Sequence, residues 1–226
     1  MNAKRRIIFA ASITLLIIAL SLIAVFSQSL QSNISDSGKL TRVACLGDSL
    51  TNMTKYPADL QTLLGKNSVV ENFGYNGAAI NFYSDRTYYF SDEYKTARAF
   101  LPTTVIIMLG TNDARFNLNE AIGNFTSNYE YMIQHMMNGT RRFTSQPEVF
   151  LVIPPPIFNN TIDLNSAAYT KEIIPRIHQV ASDLGLPLID VYTPLANYPE
   201  YFSDGVHPNA QGDQIIAQTI YQAIKS

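Results

Sequence analysis

The chain has 226 residues, 46% of them hydrophobic and 15% charged, with 16 Lys and Arg against 18 Asp and Glu for a net charge of −2. That length suits one globular domain with a short appendage, and the near-balance of charge argues against a protein that grips a phosphate backbone. A single cysteine, Cys45, excludes an internal disulfide and a cysteine-based zinc cluster, and a mechanism that needs histidine must draw on His135, His178 or His207.

The first element differs in composition from everything after it. Lys4, Arg5 and Arg6 precede an apolar run from Ile7 to Phe26, and the next charge is Asp36. Twenty residues at 1.5 Å each span about 30 Å, the hydrocarbon thickness of a bilayer. Residues 1–27 are therefore expected to be a membrane anchor or a signal peptide, with Val25-Phe26-Ser27 as a cleavage site in the second case. The basic cluster ahead of the run places the rest outside the cytoplasm, tethered by one span or secreted. Residues 28–40, rich in Ser, Gln and Asn, read as a polar linker to a domain over 41–226. Only three of the basic and one of the acidic residues precede residue 39, which leaves the remainder at a net charge of −4. Five Asn-X-Ser/Thr sequons, at Asn33, Asn52, Asn124, Asn138 and Asn159, fit a secreted protein or arise by chance in an Asn-rich chain.

From Thr41 onward short apolar runs alternate with helical patterns. Val43–Leu46 is expected as a buried strand, followed by a helix from Pro57 to Leu64 with Gly65 at its end. Val69–Phe73 is a second strand, and Thr104–Leu109, continuous in β-branched and apolar residues, is a central one. A long helix is expected over 119–138, with Ile122, Phe125, Tyr129, Met132, Ile133 and Met136 on one stripe. Glu148–Ile153 is the fourth strand, halted by Pro154, Pro155 and Pro156. Residues 167–184 are helical with a kink or break at Pro175. Leu188–Val191 is the fifth strand, and Ala210–Ile224 a closing helix. Strands separated by helices predict a parallel sheet covered on both faces, with its functional groups beyond the carboxyl ends of the strands.

Four polar groups sit at such junctions. Gly47-Asp48-Ser49-Leu50 follows the first strand, as a turn or helix cap, or as a device that presents the Ser49 hydroxyl. Its spacing does not match the Gly-X-Ser-X-Gly elbow of the α/β-hydrolases. Gly74-Tyr75-Asn76-Gly77 ends the second strand and allows either a sharp turn or close approach to a ligand. Gly110-Thr111-Asn112-Asp113 ends the third, where Asn112 either caps the next segment or aims its amide at developing negative charge. Asp204-Gly205-Val206-His207 precedes the last helix. Three-residue spacing in a turn lets a carboxylate orient an imidazole whose other nitrogen faces a nucleophile. A metal site would need more His or Cys than the chain offers. His135 and His178 fall within helices and read as structural, and Cys45 reads as an inert buried thiol. Neither a Gly-X-Gly-X-X-Gly after a strand nor a Walker A loop is present.

Taken together, LGDSLT around Ser49, NFGYNGAA around Gly77, MLGTNDAR around Asn112 and DGVHPNAQG around Asp204 and His207 resemble the four blocks of the SGNH/GDSL hydrolase superfamily. The resemblance covers residues 43–216. It implies a flavodoxin-like three-layer α/β/α sandwich with a parallel five-stranded sheet, and a hydrolase that uses no metal or other cofactor. Ser49 would be the nucleophile, His207 its general base and Asp204 the orienting carboxylate. The backbone N–H groups of Ser49 and Gly77, with the Asn112 amide, would form the oxyanion hole.

Further likeness, in VIIMLGTNDAR, IPPPIF and LIDVYTPLANYPEYFSDGVHPNAQG, is to the sialate or carbohydrate O-acetylesterase branch. That implies an acetyl ester on a sugar hydroxyl as substrate, and no nucleic-acid partner. The aromatic residues Phe82, Tyr83, Tyr88, Tyr89, Phe90 and Tyr94 offer stacking surfaces for a sugar ring or serve as core. Two other readings remain: an anchored lysophospholipase or thioesterase of the same superfamily, and a non-enzymatic carbohydrate- or lipid-binding module.

Overall fold

The computed structural model describes residues 40–115, 123–139 and 146–225. Residues 1–39, which hold the expected anchor or signal peptide and most of the linker, lie outside them. Among the described residues no helix is long and apolar enough to cross a membrane.

Five parallel strands form one sheet: β1 (Thr41–Gly47), β2 (Ser68–Gly74), β3 (Thr104–Met108), β4 (Glu148–Ile153) and β5 (Leu188–Asp190), in the order β2-β1-β3-β4-β5. That is the order of the flavodoxin-like doubly wound sheets. Its cause is visible in the strand sequences. Every residue of β3 is buried, as its unbroken TVIIM run requires of a central strand. The edge strand β2 instead carries exposed Glu71 and Asn72 before Phe73 turns inward.

Among the described residues the α-helices of four residues or more are α1 (Ser49–Asn52, a single turn), α2 (Tyr56–Leu64), α3 (Asp92–Ala99), α4 (Phe125–Gly139), α5 (Ile174–Leu184) and α6 (Ala210–Lys225). Helix α2 packs against α6, and α4 against α5. Asp213 of α6 accepts a hydrogen bond from Lys55 N at 2.9 Å, which clamps the last helix to the residues just beyond α1. The stripe on α4 buries Phe125, Tyr129, Met132, Ile133 and Met136 as its periodicity requires.

The structure adds detail at three places. The helix expected from residue 119 begins at Phe125, after a 3₁₀ step at Gly123-Asn124; residues 116–122 lie outside the described segment. The helix expected over 167–184 does not break at Pro175 but changes type just ahead of it. A π-helical turn at Tyr169–Ile173 precedes α5 and places Pro175 in the first turn of α5, where a missing N–H costs nothing. Helix α3 is an element that apolar periodicity missed, because only Tyr94 and Ala97 of it are buried. Its signal was the cap: Ser91 Oγ accepts from Tyr94 N at 3.1 Å, ahead of Asp92 and Glu93 in the first turn.

Candidate active site

Strands β2, β1 and β3 end level with one another, Gly47 pairing with Gly74 on one side and with Met108 on the other. The loops that follow therefore converge. Ser49 lies two residues beyond the end of β1, Gly77 three beyond β2 and Asn112 four beyond β3. The chain reverses direction across the sheet between β1 and β3, the place where open α/β sheets bind ligands.

Ser49 is the first residue of α1 and is half-buried. Its Oγ lies 2.8 Å from His207 Nε2, a contact between residues 158 apart in the chain. His207 Nδ1 lies 2.6 Å from Asp204 Oδ2. The other carboxylate oxygen, Asp204 Oδ1, accepts from Val206 N at 2.9 Å and His207 N at 2.8 Å. Burial alone would raise the Asp204 carboxyl, but the hydrogen bonds from the His207 backbone and ring and from Val206 N outweigh it, so it ionises below its ordinary value. An ionised Asp204 requires the proton of His207 to sit on Nδ1 and leaves Nε2 free to accept the Ser49 proton.

Gly205 makes that turn possible. Its φ is +82°, and a Cβ there would collide with the Asn159 carbonyl oxygen. Gly205 O in turn accepts from Phe158 N at 2.8 Å, which ties the Asp204–His207 turn to the segment after the proline run.

Asn112 opens a 3₁₀ turn and is buried. Its Nδ2 donates to Asp48 Oδ2 at 3.0 Å, and its Oδ1 accepts from Arg115 Nη2 at 3.3 Å. Arg115 has only donors, so it fixes which end of the amide faces which neighbour. Asp48 is fully buried; its Oδ1 caps α1 by accepting from Leu50 N at 2.8 Å. Burial raises its carboxyl to about 6 against the opposing pull of these hydrogen bonds and of His207. Asp113 next door is pushed further, to about 7, again by burial, although it accepts from Ile80 N and Asn81 N at 3.0 Å each. Those two bonds fasten the loop that follows Gly77 to the end of β3.

Gly77 and Asn112 line one cavity of about 260 Å³, together with Ala79, Tyr83, Ser84, Asp85, Arg86 and Arg115. Sequence reasoning assigned no part to Asp48, Asp113, Arg86 or Arg115. Polar residues next to a motif are common in turns, and only the fold shows which of them are buried or converge. The aromatic segment divides. Tyr88 and Tyr94 are core, Phe82 and Tyr89 stack at 5.2 Å in a separate cluster with Tyr131, and Tyr83 alone stands at the cavity with 78% of its surface exposed.

The remaining candidates lie elsewhere. His135 is engaged by Tyr94, 3.1 Å from its Nδ1, and burial lowers it; His178 is exposed on α5. Cys45 is buried in β1 and its thiol is pushed up to about 12 by that burial, so it holds its proton. Among the described residues no group of three or more His, Cys, Asp and Glu is arranged to hold a metal ion. Asn52 is exposed, its amide donating to Asn76 Oδ1 at 3.0 Å.

The sheet order and a serine, imidazole and carboxylate meeting beyond its strand ends define the class, and residues 45–215 match the model of the GDSL-like Lipase/Acylhydrolase family. The chain belongs to that family. It is 32% identical over 206 residues to an acetylxylan esterase of Xylanibacter ruminicola, an alignment covering 81% of this chain and 43% of that protein. The chain thus spans less than half the length of that relative. Its fold is shared with the native M. smegmatis aryl esterase, at a TM-score of 0.64 and 19% identity over 82% of this chain and 98% of the other. It is shared as well with a catalytic mutant of Axe2, an acetylxylan esterase from Geobacillus stearothermophilus, at 0.65 and 19% over 84% and 96%.

Proposed function

We propose that the protein is a serine esterase that removes short acyl groups, acetyl above all, from carbohydrate hydroxyls. The observation that carries this reading is the line from Ser49 Oγ through His207 to Asp204, at 2.8 and 2.6 Å. A serine hydroxyl is a weak nucleophile until a base takes its proton, and here the base is in contact and oriented. His207 Nε2 takes the Ser49 proton as Oγ attacks the ester carbonyl. The same proton then passes to the departing sugar oxygen, leaving an acetyl-Ser49 ester. Water, deprotonated by His207, hydrolyses that ester and regenerates the hydroxyl. The charge on the tetrahedral oxygen falls to Ser49 N, Gly77 N and Asn112 Nδ2 as donors.

The kinship with an acetylxylan esterase supports the carbohydrate ester as substrate. The cavity supports a substrate without a lipid tail on either side of the ester: a long aliphatic chain laid against Ser84, Asp85, Arg86 and Arg115 would strip water from charged groups and return nothing. The basic and then apolar composition of residues 1–27 supports work outside the cytoplasm, on material at or beyond the cell surface.

The test is hydrolysis of p-nitrophenyl esters from acetate to decanoate by the full chain and by Ser49→Ala. Activity that falls steeply with acyl length and disappears in the variant is expected. A preference for long chains would redirect the reading to lipid esters, and a folded wild type with no activity on any ester would favour the binding module.

A further inference from the structure

Two guanidinium groups converge at the candidate oxyanion site, and neither is neutralised. Gly77 has a φ of +75°, and a Cβ built on it would lie 3.4 Å from Arg86 Nη1 and 3.6 Å from Arg115 Nη2. The absent side chain is thus the space over which the two arginines face each other. Arg86 is held in place by donating from Nη1 to Asn76 O at 3.0 Å, and Arg115 by donating from Nη2 to Asn112 Oδ1 at 3.3 Å. Both bonds are to neutral oxygens. Among the described residues neither guanidinium lies within ion-pair distance of a carboxylate, and Arg115 Nε is buried with no partner. Asp85 lines the same cavity without pairing with either, so the cavity's formal charge is +1.

Arg115 Nε, buried without a partner, carries a desolvation cost that a ligand on its guanidinium would offset, and the exposed Arg86 adds a second positive charge beside it. The planar fork of an arginine matches a carboxylate better than any neutral sugar hydroxyl. The geometry points to a carboxylate-recognition subsite formed by Arg86 and Arg115 over Gly77, which selects esters that carry a carboxylate near the scissile bond. This rests on the esterase reading above and narrows its substrate class to acidic esters. The carboxylate belongs to the alcohol part, as in an acetylated uronic acid, because an acetyl group has none to offer. An acyl group that ends in a carboxylate, such as succinyl, presents the same chemistry from the other side.

Binding and turnover are measured separately, so that the two readings fail separately. Methyl glucuronoside, methyl glucoside and succinamate, none of which carries an ester, are titrated calorimetrically into the full chain at low salt, with wild type, Arg86→Gln and Arg86→Lys. The glucuronoside is expected to bind at least about tenfold more tightly than the glucoside. Added salt weakens that preference, Arg86→Gln removes it, and Arg86→Lys, which keeps the charge without the fork, retains part. Arg86 is exposed, so these substitutions leave the core untouched. Preference for succinamate instead would overturn the assignment to the alcohol part and move the carboxylate to the acyl side. Equal binding of the charged and neutral probes would overturn the subsite. Acetylated forms of the two glycosides are assayed for hydrolysis in parallel. Retained preference without hydrolysis overturns the esterase reading and keeps the subsite, and hydrolysis without preference does the reverse.

Discussion

Asn112 Nδ2 donates to Asp48 Oδ2 across 3.0 Å, joining the residue before the candidate nucleophile to a candidate oxyanion donor 64 positions later. Asp48 also caps α1 through Leu50 N, so one buried carboxylate fixes both the helix that starts with Ser49 and the amide beside it. One Nδ2 hydrogen is committed to Asp48, and on the esterase reading the other would serve the substrate oxygen.

Asn112→Ala removes that donor. Loss of one such group costs about 2.7–4 kcal/mol of transition-state stabilisation, and kcat is expected to fall by roughly 10²–10³. The check is kcat on p-nitrophenyl acetate beside a far-ultraviolet dichroism spectrum; an unchanged kcat in a folded variant would remove Asn112 from the hole.

Asp48→Asn keeps the shape but sets a second amide against Asn112. Misplacing a catalytic amide by a fraction of an ångström is expected to lower kcat by about 10- to 100-fold with KM little changed. A rise in KM at constant kcat would show that Asp48 acts on ground-state binding instead.

Gly205→Ala should separate positioning from chemistry. The new Cβ would meet the Asn159 carbonyl at a positive φ, so the turn carrying Asp204 and His207 must shift. Activity is expected to drop at least about tenfold, while Ser49, His207 and Asp204 are all still present. A variant with wild-type kcat/KM would mean that the turn tolerates displacement.

Asp113 supplies a test of stability against pH. Its folded-state carboxyl is raised to about 7 by burial, above its unfolded value of 3.8. A raised group stabilises the fold fully below its unfolded value, and that contribution is lost as the pH climbs through its folded one. The Tm advantage of wild type over Asp113→Asn should therefore shrink between pH 4 and pH 7 and level off above it. A gap that widens over this range would contradict the assignment. Asp204 works with the opposite sign, its lowered carboxyl losing its contribution as pH falls, but with 37% of its side chain exposed the effect is screened and small.

Strands β1, β3 and β4 were legible because they are buried along most of their length and so carry apolar runs. The residues that meet at the site were legible for another reason. Each follows a strand end or precedes the last helix, and a parallel sheet brings such positions together. Helix α3 and the start of α4 were not, since the former buries only two side chains and caps leave no periodic trace. Arg86 and Arg115 were invisible as a pair for want of any local pattern: they come together through the loop after Gly77, which Asp113 fastens to the end of β3 and in which Ala79 N donates to Arg86 O.

The 158-residue separation between Ser49 and His207 has a consequence for the protein's life before it is complete. During synthesis the serine emerges early, and its loop can form once β1 and β2 are out. The imidazole comes only with the turn ahead of α6, and α6 must still dock on α2, where Asp213 grips Lys55 N. Until then the nascent chain holds an ordinary alcohol. On the esterase reading, the base reaches the Ser49 hydroxyl only once the turn ahead of α6 has folded, so a chain interrupted before His207 lacks that contact.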